Sequence, residues 1–379
     1  MGSAFQAQCS GAVLLAETAI FSHSFYLVGM FPSKFPHQET TIFTVMSALA
    51  RQHDAWNLSE GFPDFSPDEQ LVELVYKAMR DGHNQYAPMP GHAGLREVVA
   101  EKHNTAYACA LKGDSDVTIT SGATQALFTA IAALVHPGEE VIYFEPAYDC
   151  YRPAVESVGG IPRPIALEAP TFEIDWAAFG DCLNERTRMV VVNTPNNPGC
   201  FTWTANDWAQ LEQFVAGKPI VVLSDEVYEH LVFDAHGHQS VLSRPALAEQ
   251  RLAVFSFGKN FHMTGWKLGY AAGATALMHE FRKLHQYVVF AANHPMQEAL
   301  FHFLQTPENY LGLSAFYERK YRLFSEGVEA SAFDLIPAGG SFFVLANYSR
   351  VSDLPDRAFA EWLTVEHGIA TIPLSPFYE

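Results

Sequence analysis

Four short stretches bring reactive side chains together with turn-forming neighbours. In Ser224-Asp225-Glu226-Val227-Tyr228 a carboxylate and a phenol follow directly on the apolar run 220–223. Asp225 is thereby placed half-buried at the end of that run, where an Asp also serves as a helix cap. Ser256-Phe257-Gly258-Lys259 follows the apolar run 252–255 and offers an amine, which can act as a nucleophile or carry a proton. A loop lysine is, more plainly, a solvated surface charge. Asn193-Thr194-Pro195-Asn196-Asn197-Pro198-Gly199 puts two Asn-containing turns behind a third such run, and Asn, Pro and Gly equally make ordinary turns. Thr118-Ile119-Thr120-Ser121-Gly122-Ala123-Thr124-Gln125 opens a helix with small residues. Small residues let backbone amides and the positive helix end approach an anion such as phosphate, although a Ser or Thr N-cap uses the same types.

The elements that must position these stretches alternate in kind. Short apolar runs at 141–144, 189–192, 220–223, 252–255 and 268–272 predict strands buried on both faces. Between them 123–135 and 206–215 predict helices, the first stopped by Pro137-Gly138. This is an α/β layout, in which ligands bind beyond the carboxyl ends of the strands. From about residue 295 the pattern changes to helix followed by Gly339-Gly340-Ser341 and a short apolar run at 342–345, which predicts a smaller domain shared with the N-terminal segment. A chain of 379 residues suffices for about two domains, and 49% hydrophobic with 17% charged residues argues against disorder. With 42 acidic and 23 basic side chains the net charge of −19 disfavours nucleic acid as a partner. Cys9, Cys109, Cys150, Cys182 and Cys200 form no CxxC pair, which points to a reducing cytoplasm. The stretch 11–31 is interrupted by Glu17, Ser22, His23 and Ser24 and makes a poor membrane span. No basic residue precedes Lys34, so a secretory signal is not expected either. His236-Gly237-His238 has no third ligand at metal spacing and reads as a solvated loop, His262 and His285 read as structural or supporting residues, and no metal is expected.

Taken in order, the four stretches resemble those of the pyridoxal-phosphate-dependent aminotransferases of the aspartate aminotransferase fold family, in the class that includes kynurenine and methionine aminotransferases. The resemblance runs from about Thr40 to Tyr378. It includes Leu58-Ser59-Glu60-Gly61-Phe62-Pro63-Asp64-Phe65, then Asn84-Gln85-Tyr86-Ala87-Pro88 with Gly91 and Leu95-Arg96, and residues 256–270 (SFGKNFHMTGWKLGY). It implies a three-layer fold with a mostly parallel central sheet and a smaller α+β domain. The implied boundaries are an atypical extension at 1–30, an N-terminal segment of the small domain at 31–65, a cofactor domain at 66–294 and a small C-terminal domain at 295–379. The implied reaction moves an amino group from an L-amino acid to a 2-oxo acid in a ping-pong cycle. In that family Lys259 matches the lysine that bonds the cofactor aldehyde and moves the proton, and Asp225 the carboxylate on the ring nitrogen. Tyr228 and Asn197 match the hydrogen-bond partners of the ring O3′, and Tyr148 the aromatic stacked on the ring. Ala123, Thr124, Ser256 and Lys267 match the phosphate site, with Lys267 where many members carry Arg.

Tyr86 resembles a tyrosine that reaches the phosphate of the neighbouring subunit, which implies a homodimer. Gly61, Phe43 and Phe290, with Asn197, fall where relatives bind substrate, and an apolar, sulfur-containing or aromatic amino acid is the expected donor. Relatives place a carboxylate-binding arginine beyond the segment matching Ile372-Pro373-Leu374-Ser375, and no residue before Glu379 matches it. The sequence thus leads us to expect a chain truncated at its C-terminus, and a natural start at Met30. Two other outcomes fit the same residues: a C–S β-lyase, or a cofactor-binding chain that lacks the carboxylate clamp and is inactive.

Overall fold

The structure, a computed structural model, describes residues 33–35 and 40–378 except 235. The chain divides into Met1–Thr40 and Thr41–Glu379, and every element below belongs to the second unit. The stretch 11–31 and the expected start at Met30 lie outside the described residues, among which no helix is long and apolar enough to cross a membrane.

Seven strands form the central sheet in the order Val117–Thr120, Gly269–Gly273, Arg251–Ser256, Val221–Asp225, Thr187–Asn193, Glu140–Glu145, Ile161–Ala166. All pairings are parallel except those of Gly269–Gly273, which runs antiparallel to both neighbours. The five apolar runs each become a strand, and their lack of polar alternation has a simple cause. Successive side chains point to opposite faces of a sheet, and here both faces are covered. Ile142, Val190, Val192, Val222, Ala253 and Phe255 enter one core with Leu95, Val99 and Trp208. Val141, Tyr143, Met189, Val191, Leu223 and Val254 enter the other, against Leu127, Ile131 and Phe281. The expected mostly parallel α/β sheet is borne out.

Two strands are added that the apolar runs did not predict. Val117–Thr120 is only four residues long, and Ile161–Ala166 carries Pro162 and Pro164, which a sheet tolerates because this strand lies at its edge. Helices Ala123–Leu134 and Ala205–Val215 fall within a residue of expectation, the latter opened by a capping box between Thr204 and Asp207. Away from the main sheet, Trp56–Asn57 pairs in parallel with Ile369–Ala370, and Asp334–Ile336 pairs antiparallel with Leu345–Asn347.

Candidate active site

The carboxyl ends of adjacent strands deliver the reactive residues to one edge of the sheet. Asn193 ends its strand in register with Asp225, which ends the next, and Ser256 ends the third. The antiparallel strand begins at this same edge, so Lys267 just before it also arrives there. Helix Ala123–Leu134 starts at the edge too, from Gly122 at φ 82° with no side chain capping its first amides. A glycine is needed there because other residues seldom adopt that backbone. The Lys267 amine lies beside Gly122. Free amides at a helix start next to an ammonium make a site for a phosphate-sized anion.

One cavity gathers Ala123, Thr124, Tyr148, Asn197, Asp225, Tyr228, Ser256, Lys259 and Lys267. Asp225 is buried, and Tyr151 donates its hydroxyl to Asp225 Oδ2 at 2.6 Å. Burial pushes the Asp225 carboxyl up to about 6, with the Tyr151 hydrogen bond opposing it. Burial pushes the Lys259 ammonium down to about 8, helped by the nearby Lys267 charge and opposed by Asp225. The Lys259 amine donates to the carbonyl of Gly61 at 2.5 Å and lies 5.6 Å from the Tyr228 ring centre. Ser256 caps the turn that carries Lys259, its Oγ accepting from the Lys259 amide at 3.2 Å. Tyr148 and Thr124 share a hydroxyl hydrogen bond at 3.2 Å. Burial holds the phenols of Tyr148 and Tyr228 above the usual range.

Three anticipated residues stand apart from this cavity. Tyr86 is 80% exposed and packs edge-on against Phe290, 47% exposed, with ring centres 5.0 Å apart. Phe43 packs edge-on against Phe377. The sequence reading missed Tyr151 and the part played by Asn193, which donates to the Asp225 carbonyl at 3.0 Å and accepts from the Asn197 amide at 2.7 Å. Asn193 stood in a quoted motif, and Tyr151 follows Tyr148 at a three-residue spacing that a helix start would bring inward. His238 is also corrected: its side chain is buried rather than solvated, because Nε2 lies 2.8 Å from the buried Glu226 carboxylate.

The residues fit pyridoxal phosphate on this structure's own evidence. Asp225 offers a buried carboxylate for a cationic ring nitrogen, and the buried Asn197 Oδ1, without a partner among the described residues, leaves this amide free to meet a polar group. The uncapped helix start with Lys267 suits the phosphate, and Lys259 extends its amine into the same space.

The chain is similar to known proteins in sequence and in fold. Residues 53–379 match the family model described as aminotransferase class I and II. The chain is 49% identical over 346 residues to methionine aminotransferase of Escherichia coli strain K12, covering 91% of this chain and 90% of that one. It is 31% identical over 372 residues to kynurenine–oxoglutarate transaminase 1 of Rattus norvegicus, covering 90% and 88%. Among solved structures, the Escherichia coli protein YbdL, identified as a methionine aminotransferase, superimposes with a TM-score of 0.89 over 92% of this chain and 91% of that one at 49% identity. Aspartate aminotransferase from Thermus thermophilus with maleate superimposes with a TM-score of 0.83 over 91% of each chain at 28% identity. The half-buried Lys259 and the buried Asp225 share one cavity at a helix start, and the sequence and the backbone of the chain match one family: the chain belongs to the class I and II aminotransferases and is a pyridoxal-phosphate-dependent enzyme.

Proposed function

We propose that this aminotransferase takes its amino group from a methionine-like or aromatic L-amino acid and gives it to a 2-oxo acid. The observation that carries the site assignment is that the half-buried Lys259 and the buried Asp225 line one cavity, the amine with lowered and the carboxyl with raised proton affinity. When bound, pyridoxal phosphate supplies an aldehyde carbon for amines and a ring that takes up the electron pair left when the Cα–H bond breaks. Asp225 would hold a proton on the ring nitrogen, and Tyr151 and Asn193 orient Asp225. Tyr228 and the side-chain amide of Asn197 would donate to the ring oxygen, and Tyr148 would lie against the ring. The amides of Ala123 and Thr124, with Ser256 and Lys267, would hold the phosphate. An amine near pKa 8 is neutral often enough at neutral pH to take up a proton, and the Lys259 amine would hold or move that proton beside the bound group.

Substrate specificity is assigned to Gly61, Phe43 and Phe290. The 49% identity to a methionine aminotransferase supports the sulfur-containing donor. The exposure of Tyr86 outside its own chain's cavity supports a homodimer in which this tyrosine serves the partner's phosphate site. The pairing of Trp56–Asn57 with Ile369–Ala370 supports a small domain made from 31–65 and 295–379, beside a cofactor domain at 66–294. A cytoplasmic location completes the reading.

The test is a product assay on the holoenzyme with methionine. One equivalent of the methionine-derived oxo acid per chain without acceptor, and turnover on adding a 2-oxo acid, is the expected result. K259A should abolish both. Pyruvate and ammonia from a β-substituted amino acid, with no transfer to the oxo acid, would replace this reading with a lyase.

A further inference from the structure

Helix His294–Phe303 carries His294, Glu298 and His302 at successive four-residue spacings, hence on one face. Two more imidazoles approach this face from elsewhere in the chain. His83 comes from the turn after helix Glu69–Arg80, and His92 is the N-cap residue of helix Ala93–Tyr107. Glu298, 15% exposed, is held at both carboxylate oxygens: His92 Nε2 lies 3.0 Å from Oε2 and His302 Nε2 lies 3.1 Å from Oε1. His83 Nδ1 lies 3.7 Å from Oε2. None of these residues lines the Lys259 cavity.

The hydrogen bonds fix which ring nitrogens carry lone pairs. His92 Nδ1 accepts from the Leu95 amide at 3.1 Å, so its Nε2 carries hydrogen and donates to Glu298. His92 therefore positions the carboxylate and is not itself a ligand. His294 Nδ1 lies 2.9 Å from the carbonyl of Gln85, which can only accept, so His294 presents a bare Nε2. A histidine whose other nitrogen donates to a backbone carbonyl, beside a carboxylate that is itself hydrogen-bonded, is how metal ligands are oriented.

One donor atom from each of His83, His294 and Glu298 lies within 4.8 Å of the others. Ligands about 2.1 Å from a tetrahedral zinc stand about 3.4 Å apart, close to the His83–Glu298 separation of 3.7 Å. We propose that His83, His294 and Glu298 form a binding site for a divalent cation of the zinc type, away from the catalytic cavity, with His92 as its positioning residue. Two imidazoles and one carboxylate suit zinc and leave a coordination position for water. By joining the turn at His83 to helix His294–Phe303, the cation ties two elements of the folded chain and stabilises it by binding only that state.

The experiment is a zinc titration of the EDTA-treated holoenzyme against a chromophoric chelator, with thermal unfolding followed in parallel. The wild-type chain is expected to take up one zinc per chain and to melt at a higher temperature with zinc than with EDTA. H294Q and H83Q should lose that uptake and the zinc-dependent rise, and H92Q should bind roughly 10- to 100-fold more weakly. The exposed His236, changed to Gln, should alter neither. Each variant's melting temperature in EDTA separates lost ligation from lost folding, and H83Q, in a surface turn, stands in should H294Q fail to fold. Absence of stoichiometric zinc in the wild-type chain, or equal uptake in folded H83Q and H294Q, would overturn the site.

Discussion

At the scale of single residues, Asp225 stores a conflict that a cofactor would relieve. Its carboxyl has an ordinary value near 3.8 and is pushed up to about 6 by burial, so the folded chain binds its proton more tightly than the unfolded one. The sign follows from linkage: the stability contributed by this proton is complete below about pH 4 and is lost as pH rises through about 6. In cofactor-free protein, D225N should therefore gain on wild type with rising pH, by on the order of 3 kcal/mol at pH 8 and little at pH 4. Thermal unfolding across that range checks it, and a pH-independent difference would contradict the burial argument. The side chains that end strands were legible because an ionisable residue directly behind an apolar run has few places to go. The Gly61 carbonyl was not, since a backbone oxygen carries no local signal of what it will meet, and Tyr151 showed only its spacing from Tyr148, which turns it inward without naming Asp225 as its partner.

At the scale of elements, the approach of helix Ala123–Leu134 to the antiparallel strand sets the anion site. Gly269 makes that approach possible: a Cβ there would stand 2.5 Å from the Phe255 carbonyl and 3.0 Å from the Ala123 amide. These are backbone atoms and cannot swing aside. G269A should cost about 1–3 kcal/mol by overpacking and weaken retention of the phosphate-bearing cofactor, read by unfolding and by cofactor release on dialysis. An unchanged melting temperature and retention would mean that the helix start has room to spare. Five of the seven sheet strands announced themselves as apolar runs because both faces of the sheet are covered. Val117–Thr120 lies inside a motif dominated by Thr and Ser, and Ile161–Ala166 survives its two prolines only by its edge position, a tertiary fact that no local pattern carries.

At the scale of the whole molecule, the proposed sharing of Tyr86 between subunits makes a genetic prediction. K259A and Y86A chains should each be impaired alone. Mixed in one dimer they generate one doubly damaged site and one intact site if Tyr86 acts in the partner, whereas action within its own chain leaves both sites damaged. Recovered transamination in co-expressed chains, purified by two tags, is the expected outcome, and none would return Tyr86 to its own subunit. The exposed Tyr86–Phe290 pair is the part of the molecule that a single-chain reading of pattern leaves least explained.

The hydrogen bond from the Lys259 amine to Gly61 has one more consequence. Its acceptor belongs to the main chain, which every residue type possesses, so genetic drift at position 61 cannot delete it by changing a side chain. A larger residue there would first have to displace the tip of Phe343, 2.7 Å from where a Cβ would stand. The resting place of the reactive amine is thus inherited through the path of the backbone, while the surroundings that could discriminate among amino acids remain open to variation.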